Sequence, residues 1–274
     1  MSASGRSEEP AASALRLDEL SHGLALKRLA GRLHYFAEID STNILARRLA
    51  EQGARDGEIV IAEAQSQGRG RMGRRWQSPP FANLYLSVIL RPRLLPANAP
   101  QITLMAAVAL AETAAGFTRG VAIKWPNDIL VGGKKLAGIL TEASCNAERL
   151  DYVVLGIGVN LNYRLAAMPD EIRLRATSLA ELTGKSVSRE DFFRRLIHAL
   201  DRCYGELEEG GFARLAPRWA AHFELRGRRV RVESLDQSTI GTAVGIDDDG
   251  ALLIEDLQGA RQRVLAGDVL AVEN

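Results

Sequence analysis

The apolar residues change their period several times along the chain, and each change marks an element. In "IDSTNILARRLAEQG", Ile44, Leu45 and Leu49 make a helical stripe, with Asp40 or Ser41 placed to cap it and Gly53 ending it. "GEIVIAEAQ" carries the β-branched run Ile59, Val60 and Ile61, and "NLYLSVILRP" is an apolar run stopped by Pro92, so both predict strands. Ile102 to Phe117 is apolar apart from residues such as Glu112 and too short to span a bilayer, which predicts a buried helix. "SREDFFRRLIHALDRCYGELEEGG" predicts an amphipathic helix, with Ser188 as cap, Asp191 in the partner position and Phe192, Leu196, Leu200, Cys203 and Leu207 on one face.

"VAIKWPNDILVGGKKLAGILTEA" reads as strand, turn and hairpin. Pro126 cannot donate to a ladder, so Trp125 to Asp128 should turn at a strand end. Gly132 and Gly133 suit a tight hairpin, because both can take positive φ. Strict alternation puts Lys134 and Lys135 on opposite faces, with Lys135 on the side of Ala137 and Ile139. "DYVVLGIGVNLN" is a strand whose Gly156 and Gly158 suit close approach by a ligand or a neighbouring element. After Leu225, short Val/Ile/Leu runs split by "DDDG" and "QG" predict a small antiparallel barrel. Residues 1–30 read as a disordered or partly helical tail, 31–224 as a mixed α/β domain, and 225–274 as a separate β domain.

Composition narrows the classes. With 35 Lys and Arg against 34 Asp and Glu, there is no basic surplus for general nucleic-acid binding, so any anion site is local. Two distant cysteines and four scattered histidines offer no metal-ligand spacing. The N-terminus lacks the apolar stretch of a signal peptide, and a cytoplasmic protein with free thiols is expected.

Against that neutral background stands "GRGRMGRRW", with three glycines and four arginines between Gly68 and Trp76. Glycines let backbone amides approach an anion, and arginine adds a planar fork for phosphate or carboxylate oxygens. Loop composition leaves three readings open: a phosphate or acyl-phosphate site, a solvated loop, or an arginine–glycine contact to nucleic acid. A second cluster is Asp128, one hairpin lysine and the mid-strand Gly138. A third is "DSTN", where Ser41 and Thr42 are first of all capping residues at a helix start.

Taken together, "DSTN", "AQSQGRGRMGRRW", "NLYLSVIL", "KWPNDI", "KKLAGILTE", "GIGVNLN" and "ATSLAEL" resemble the biotin–protein ligases, from about Leu33 onward. The resemblance implies a mixed sheet with packed helices, like the class II aminoacyl-tRNA synthetases, and an SH3-like C-terminal barrel. It implies that biotin and ATP, with Mg²⁺, form biotinyl-5′-AMP, and that biotin then passes to a lysine of a biotin carboxyl carrier protein. Ser41, Thr42, Asn43 and Gln65 would face biotin. Gly68, Arg69, Gly70, Arg71, Trp76, Gly138 and Asn160 would surround biotin and the adenylate. Lys135, Arg71 and Asp128 would be catalytic, Asp128 toward the incoming lysine. With about 35 residues ahead of "EIDSTN", the resemblance is to the mono-functional type, and neither DNA nor a membrane is an expected partner. Homodimer formation is left open. A lipoate or octanoate ligase of related fold and a bifunctional ligase–repressor are the alternatives.

Overall fold

The computed structural model describes residues 13–233 and 238–272. Its elements in chain order are α1 (Leu17–Ser21), β1 (Leu33–Ile39), α2 (Thr42–Glu51), β2 (Ile59–Gln65), β3 (Leu84–Leu90), α3 (Pro100–Ala115), β4 (Val121–Lys124), β5 (Asp128–Val131), β6 (Lys134–Cys145) and β7 (Leu150–Val159). The short α4 (Asp170–Arg173) and α5 (Leu179–Thr183) follow, then α6 (Arg189–Gly210) and α7 (Ala216–Ala221). The C-terminal strands are β8 (Arg229–Glu233), β9 (Ser238–Ile246), β10 (Leu252–Glu255), β11 (Arg261–Val264) and β12 (Asp268–Ala271).

Seven strands form a mixed sheet in the order β1-β2-β3-β7-β6-β5-β4, with β1 and β2 parallel and β2 antiparallel to β3. Alternation along β2 sends Ile59 and Ile61 into a large core shared with α3 and α6, and Val60 into a small one with Ala46 and Ala50 of α2. The two helices therefore cover one face, and α2 covers part of the other. Beyond α2, the same face of β6 and β7 lies bare enough to floor a cavity. Five antiparallel strands, in the order β11-β10-β9-β8-β12, make the C-terminal β domain. It is anchored on the larger domain by Trp125 Nε1 donating to the Gly250 carbonyl at 3.0 Å and Gln101 Nε2 donating to that of Asp248 at 2.8 Å. Among the described residues no helix is long and apolar enough to cross a membrane.

Several sequence readings change here. Ser41 is the N-cap residue of α2 but makes no capping bond. Gln65 Oε1 caps instead, accepting from Thr42 N at 2.9 Å. The fully buried positions of α2 are Thr42, Asn43, Ala46 and Ala50, while Leu45 and Leu49 are only partly buried. Ser188 does cap α6, accepting from Asp191 N at 3.1 Å. Gly132 and Gly133 turn the hairpin with φ of 57° and 73°.

The segment before β1 packs on the larger domain. Leu15, Leu20 and Leu29 join its core. Asp201 on α6 accepts from the amides of Lys27, Arg28 and Leu29, the last at 2.8 Å. Residues 1–12 of the expected tail lie outside the described residues. Beneath the segment, Glu63 is 1 % exposed and Arg189 5 %, and they pair at 2.6 Å. Glu63 also accepts from Leu15 N, and Arg189 donates to the Ser13 carbonyl. A carboxylate and a guanidinium this deep are tolerable only because each satisfies the other and the strap.

Glu112, the acidic residue of the apolar α3, finds Arg218 of α7 at 2.6 Å and Arg202 of α6 at 2.8 Å. The Arg218 hydrogen bond holds its carboxyl below the usual range, against the opposing effect of burial, with help from both positive charges.

Two outcomes are expected. Arg189→Met leaves the buried Glu63 without a countercharge and should cost about 3–5 kcal/mol in urea unfolding, most of it recovered when Glu63→Met is added. Glu112 has a depressed folded pKa, so its contribution is present above the unfolded value and lost as pH falls. Glu112→Gln should therefore lower Tm at pH 7, and the gap from wild type should close below the ordinary glutamate value of about 4.3.

Candidate functional site

A cavity of about 680 Å³ lies on the bare face of β6 and β7, within the range of small-ligand sites, about 300–1,000 Å³. Its floor exists because three positions lack side chains. Gly138 and Gly158 are cross-strand partners, as are Leu140 and Gly156. A Cβ on Gly156 would collide with the Asn43 side-chain oxygen, and one on Gly158 would meet the Trp76 indole at 2.5 Å. A Cβ on Gly138 would stand 3.0 Å from Lys135 Cε and 3.1 Å from the indole. The glycines thus admit Asn43, Trp76 and Lys135 against the sheet.

Lys135 reaches the cavity by a change of phase. Ile129 pairs with Ala137 but Leu130 pairs with Lys135, so Leu136 is an extra residue in β6. Leu136 and Ala137 both enter the core, and Lys135 lines the cavity with Gly138 and Leu140. The expected face, shared with Ala137 and Ile139, is corrected by this bulge. Lys135 Nζ lies 2.7 Å from Asp128 Oδ1. That oxygen has a charge partner but no well-angled hydrogen-bond donor, and it is buried. We read the pair as a Coulombic contact, since its distance is short but its angle falls short of a hydrogen bond. Trp76 Nε1 is the cavity's second buried polar atom without a partner.

The basic segment is a small closed turn. Arg69 bridges Arg75, Gly70 N donates to the Arg74 carbonyl at 2.7 Å, and Trp76 N donates to that of Gly68 at 2.9 Å. Met72 stands at its tip with φ 54° and is 60 % exposed. The four arginines fan out to different partners: Arg69 to Glu142, Arg71 to Asn127, Arg74 to Asp268 of β12, and Arg75 to the Ser66 carbonyl. All four line the cavity, which separates none of them from the rest.

Ser41, Thr42, Asn43, Gln65, Arg69, Gly70, Arg71, Trp76, Asp128, Lys135, Gly138 and Asn160 all line this one cavity. Gly68 does not; it packs beneath the turn, where a Cβ would strike the Trp76 carbonyl and lie 2.7 Å from Ser78 Oγ. Sequence reasoning missed Ser87, wholly buried, whose hydroxyl reaches Asn43 Oδ1 at 2.7 Å and Thr42 Oγ1 at 2.8 Å. It also missed Glu142, which accepts from Asn43 Nδ2 at 2.7 Å. A serine inside the apolar run "LYLSVIL" was the signal available for the first. The walls contributed by Tyr163, Glu171, Ile172, Leu174 and Arg175 and by Asp268 to Leu270 carried no signal, because tertiary packing alone brings them in.

Because Trp125 is 2 % and Trp219 0 % exposed, displacement of Trp76 should be visible in fluorescence. Gly158→Ala should push the Trp76 indole toward water and shift emission to the red, and the shift should vanish when Trp76→Phe is added.

Comparison with known proteins gives concordant matches. A family model described as "Biotin/lipoate A/B protein ligase family" matches residues 35–160, and one described as "Biotin protein ligase C terminal domain" matches 226–270. The bifunctional ligase/repressor BirA of Bacillus subtilis is 36 % identical over 254 residues, covering 92 % of this chain and 77 % of that one. The biotin–[acetyl-CoA-carboxylase] ligase of Paracoccus denitrificans is 37 % identical, covering 85 % and 98 %. A solved structure of biotin protein ligase from Aquifex aeolicus in complex with biotin and ATP is 30 % identical, with a TM-score of 0.77 over 89 % of this chain and 99 % of that one.

Proposed function

As the chain belongs to the biotin/lipoate A/B protein ligase family, we infer that it activates biotin with ATP and transfers it to a lysine of a carrier protein. The C-terminal domain match favours biotin over lipoate. The observation that carries the reading is one cavity that joins a polar recognition end, a lysine–aspartate pair and an arginine turn.

Each part has a task. Thr42, Asn43 and Gln65 offer fixed donors and acceptors for the uncharged polar head of biotin, and Ser41 stands beside them. In the first step the biotin carboxylate attacks the α-phosphorus, the bond to pyrophosphate breaks, and a mixed anhydride forms. Two anions meet there, and Lys135, Arg69 and Arg71 lower their repulsion and stabilise charge on the phosphoryl oxygens. Gly70, Trp76, Gly138 and Asn160 shape the adenylate's surroundings, and Gly68 sets the base of the turn. Mg²⁺, brought in with ATP, would supply positive charge beside the phosphates. Asp128, Glu171 and Asp268 are carboxylates on the cavity wall, and such ions need only one or two beside phosphates.

In the second step the acceptor amine, with an ordinary pKa near 10.4, must lose a proton as it attacks the acyl carbon and AMP departs. Once Lys135 turns to the phosphoryl oxygens, Asp128 is released from its ion pair and can take that proton. The arginine turn covers the anhydride against water. We propose a biotin carboxyl carrier protein, such as that of acetyl-CoA carboxylase, as the acceptor, and the cytoplasm, suited to the free Cys145 and Cys203, as the compartment.

Lys135→Ala should cut biotin-dependent pyrophosphate exchange by about 10²–10³ fold with little change in Tm. Exchange at the wild-type rate in that variant, or carrier loading by lipoate in preference to biotin in the wild type, would overturn the assignment.

A further inference from the structure

One polar chain runs from the arginine turn to the recognition end of the cavity, and its centre is a residue that does not line the cavity. Glu142 on β6 divides its two carboxylate oxygens. Oε1 accepts from Arg69 Nη1 at 3.2 Å, and Oε2 accepts from Asn43 Nδ2 at 2.7 Å. Asn43 is further fixed by the Leu140 carbonyl at 3.2 Å and by Ser87. Thr42 Oγ1, also in reach of Ser87, donates to Gln65 Oε1 at 3.1 Å, and Gln65 Nε2 donates to Ser78 Oγ at 2.9 Å. The chain thus passes from the turn at Arg69, through Glu142, Asn43, Ser87, Thr42 and Gln65, to Ser78 just beyond the turn.

We propose that Glu142 is a positioning residue that ties the Arg69 side of the turn to the Asn43 amide, so that turn closure and biotin recognition share one carboxylate. The proposal rests on the biotin ligase reading of the cavity. Its basis is geometric: Glu142 is the link between two segments far apart in the chain, each of which lines the cavity, while it stands behind them. With Glu142 holding both, Asn43 presents its Oδ1 to Ser87 and cannot rotate without losing a charge-assisted bond. Arg69, 46 % exposed, is otherwise a free long side chain on the turn.

The two halves of the tie can be separated by substitution. In Glu142→Gln the amide oxygen can still accept from Asn43, but the amide nitrogen then faces Arg69, donor against donor. Glu142→Ala removes both contacts. Three readouts distinguish them: tryptic cleavage between Arg69 and Arg75 without ligand, biotin KM, and the rate at which biotinyl-AMP leaves. For Glu142→Gln, cleavage and biotinyl-AMP release should each rise about fivefold, as befits a partly exposed ion pair, while biotin KM stays within about twofold of wild type. For Glu142→Ala, biotin KM should rise as well. Arg69→Gln added to Glu142→Gln should produce no further rise in cleavage after Arg71 and Arg74, the sites that both variants keep, because the pair acts as a unit. Wild-type cleavage and release in Glu142→Gln would overturn the tie, as would a KM rise equal to that of Glu142→Ala. If Glu142→Ala fails to fold, the Glu142→Gln readouts and the double variant decide alone. A wild-type protein that forms no biotinyl-AMP would instead overturn the functional reading, and the cleavage measurement would still test the Arg69 tie.

Discussion

Close approach to the sheet is the constraint on which the cavity depends. On β6 and β7, Gly138, Gly156 and Gly158 hold open the space that Lys135, Asn43 and Trp76 fill. A methyl group at any of the three would push against a side chain that has a specific task. Glycine normally weakens a strand by about 0.5–1 kcal/mol relative to alanine. The loss is absorbed because β7 is central, flanked by β3 and β6 and buried along most of its length. A central, largely buried strand can carry the residues that support it least.

Much of this was legible in the sequence. Strand, hairpin and helix positions followed from apolar period, Gly132-Gly133 and Ser188, because these are local signals read at local range. The motif residues came together because the resemblance carries tertiary information that periodicity does not. What failed did so for physical reasons. Alternation placed Lys135 on the wrong face, since an extra residue at Leu136 is invisible to any fixed period. Ser41 fitted a capping pattern, yet Gln65, on a strand, supplies the acceptor. The N-terminal segment read as a tail because its first residues are small and polar, and its attachment comes from Asp201, Glu63 and Arg189, residues distant in the chain. Glu142 lay in plain view at the end of "KKLAGILTE", but its role depends on partners on α2 and on the arginine turn.

The arginine turn resolves the contrast between a neutral chain and a locally basic segment. Its charges are dispersed: each guanidinium is met by a different part of the molecule, including the C-terminal β domain through Asp268. Neighbouring cations would repel each other, and separate partners hold them apart. The same arrangement ties the turn to both domains, to Glu142 of the larger one and to Asp268 of the C-terminal one.

The bulge at Leu136 has a last consequence, for the fidelity of folding. A regular ladder would be the easier pairing for β5 and β6, and it would turn the Lys135 ammonium into the core occupied by Leu136 and Ala137. An unpaired charge there is prohibitively expensive. The hairpin is therefore kept out of its simplest alignment by the very lysine that the irregular one serves. The lysine that lines the cavity also acts as a proofreader of strand pairing, and a chain that lost it would lose a guard against slippage as well as a cation.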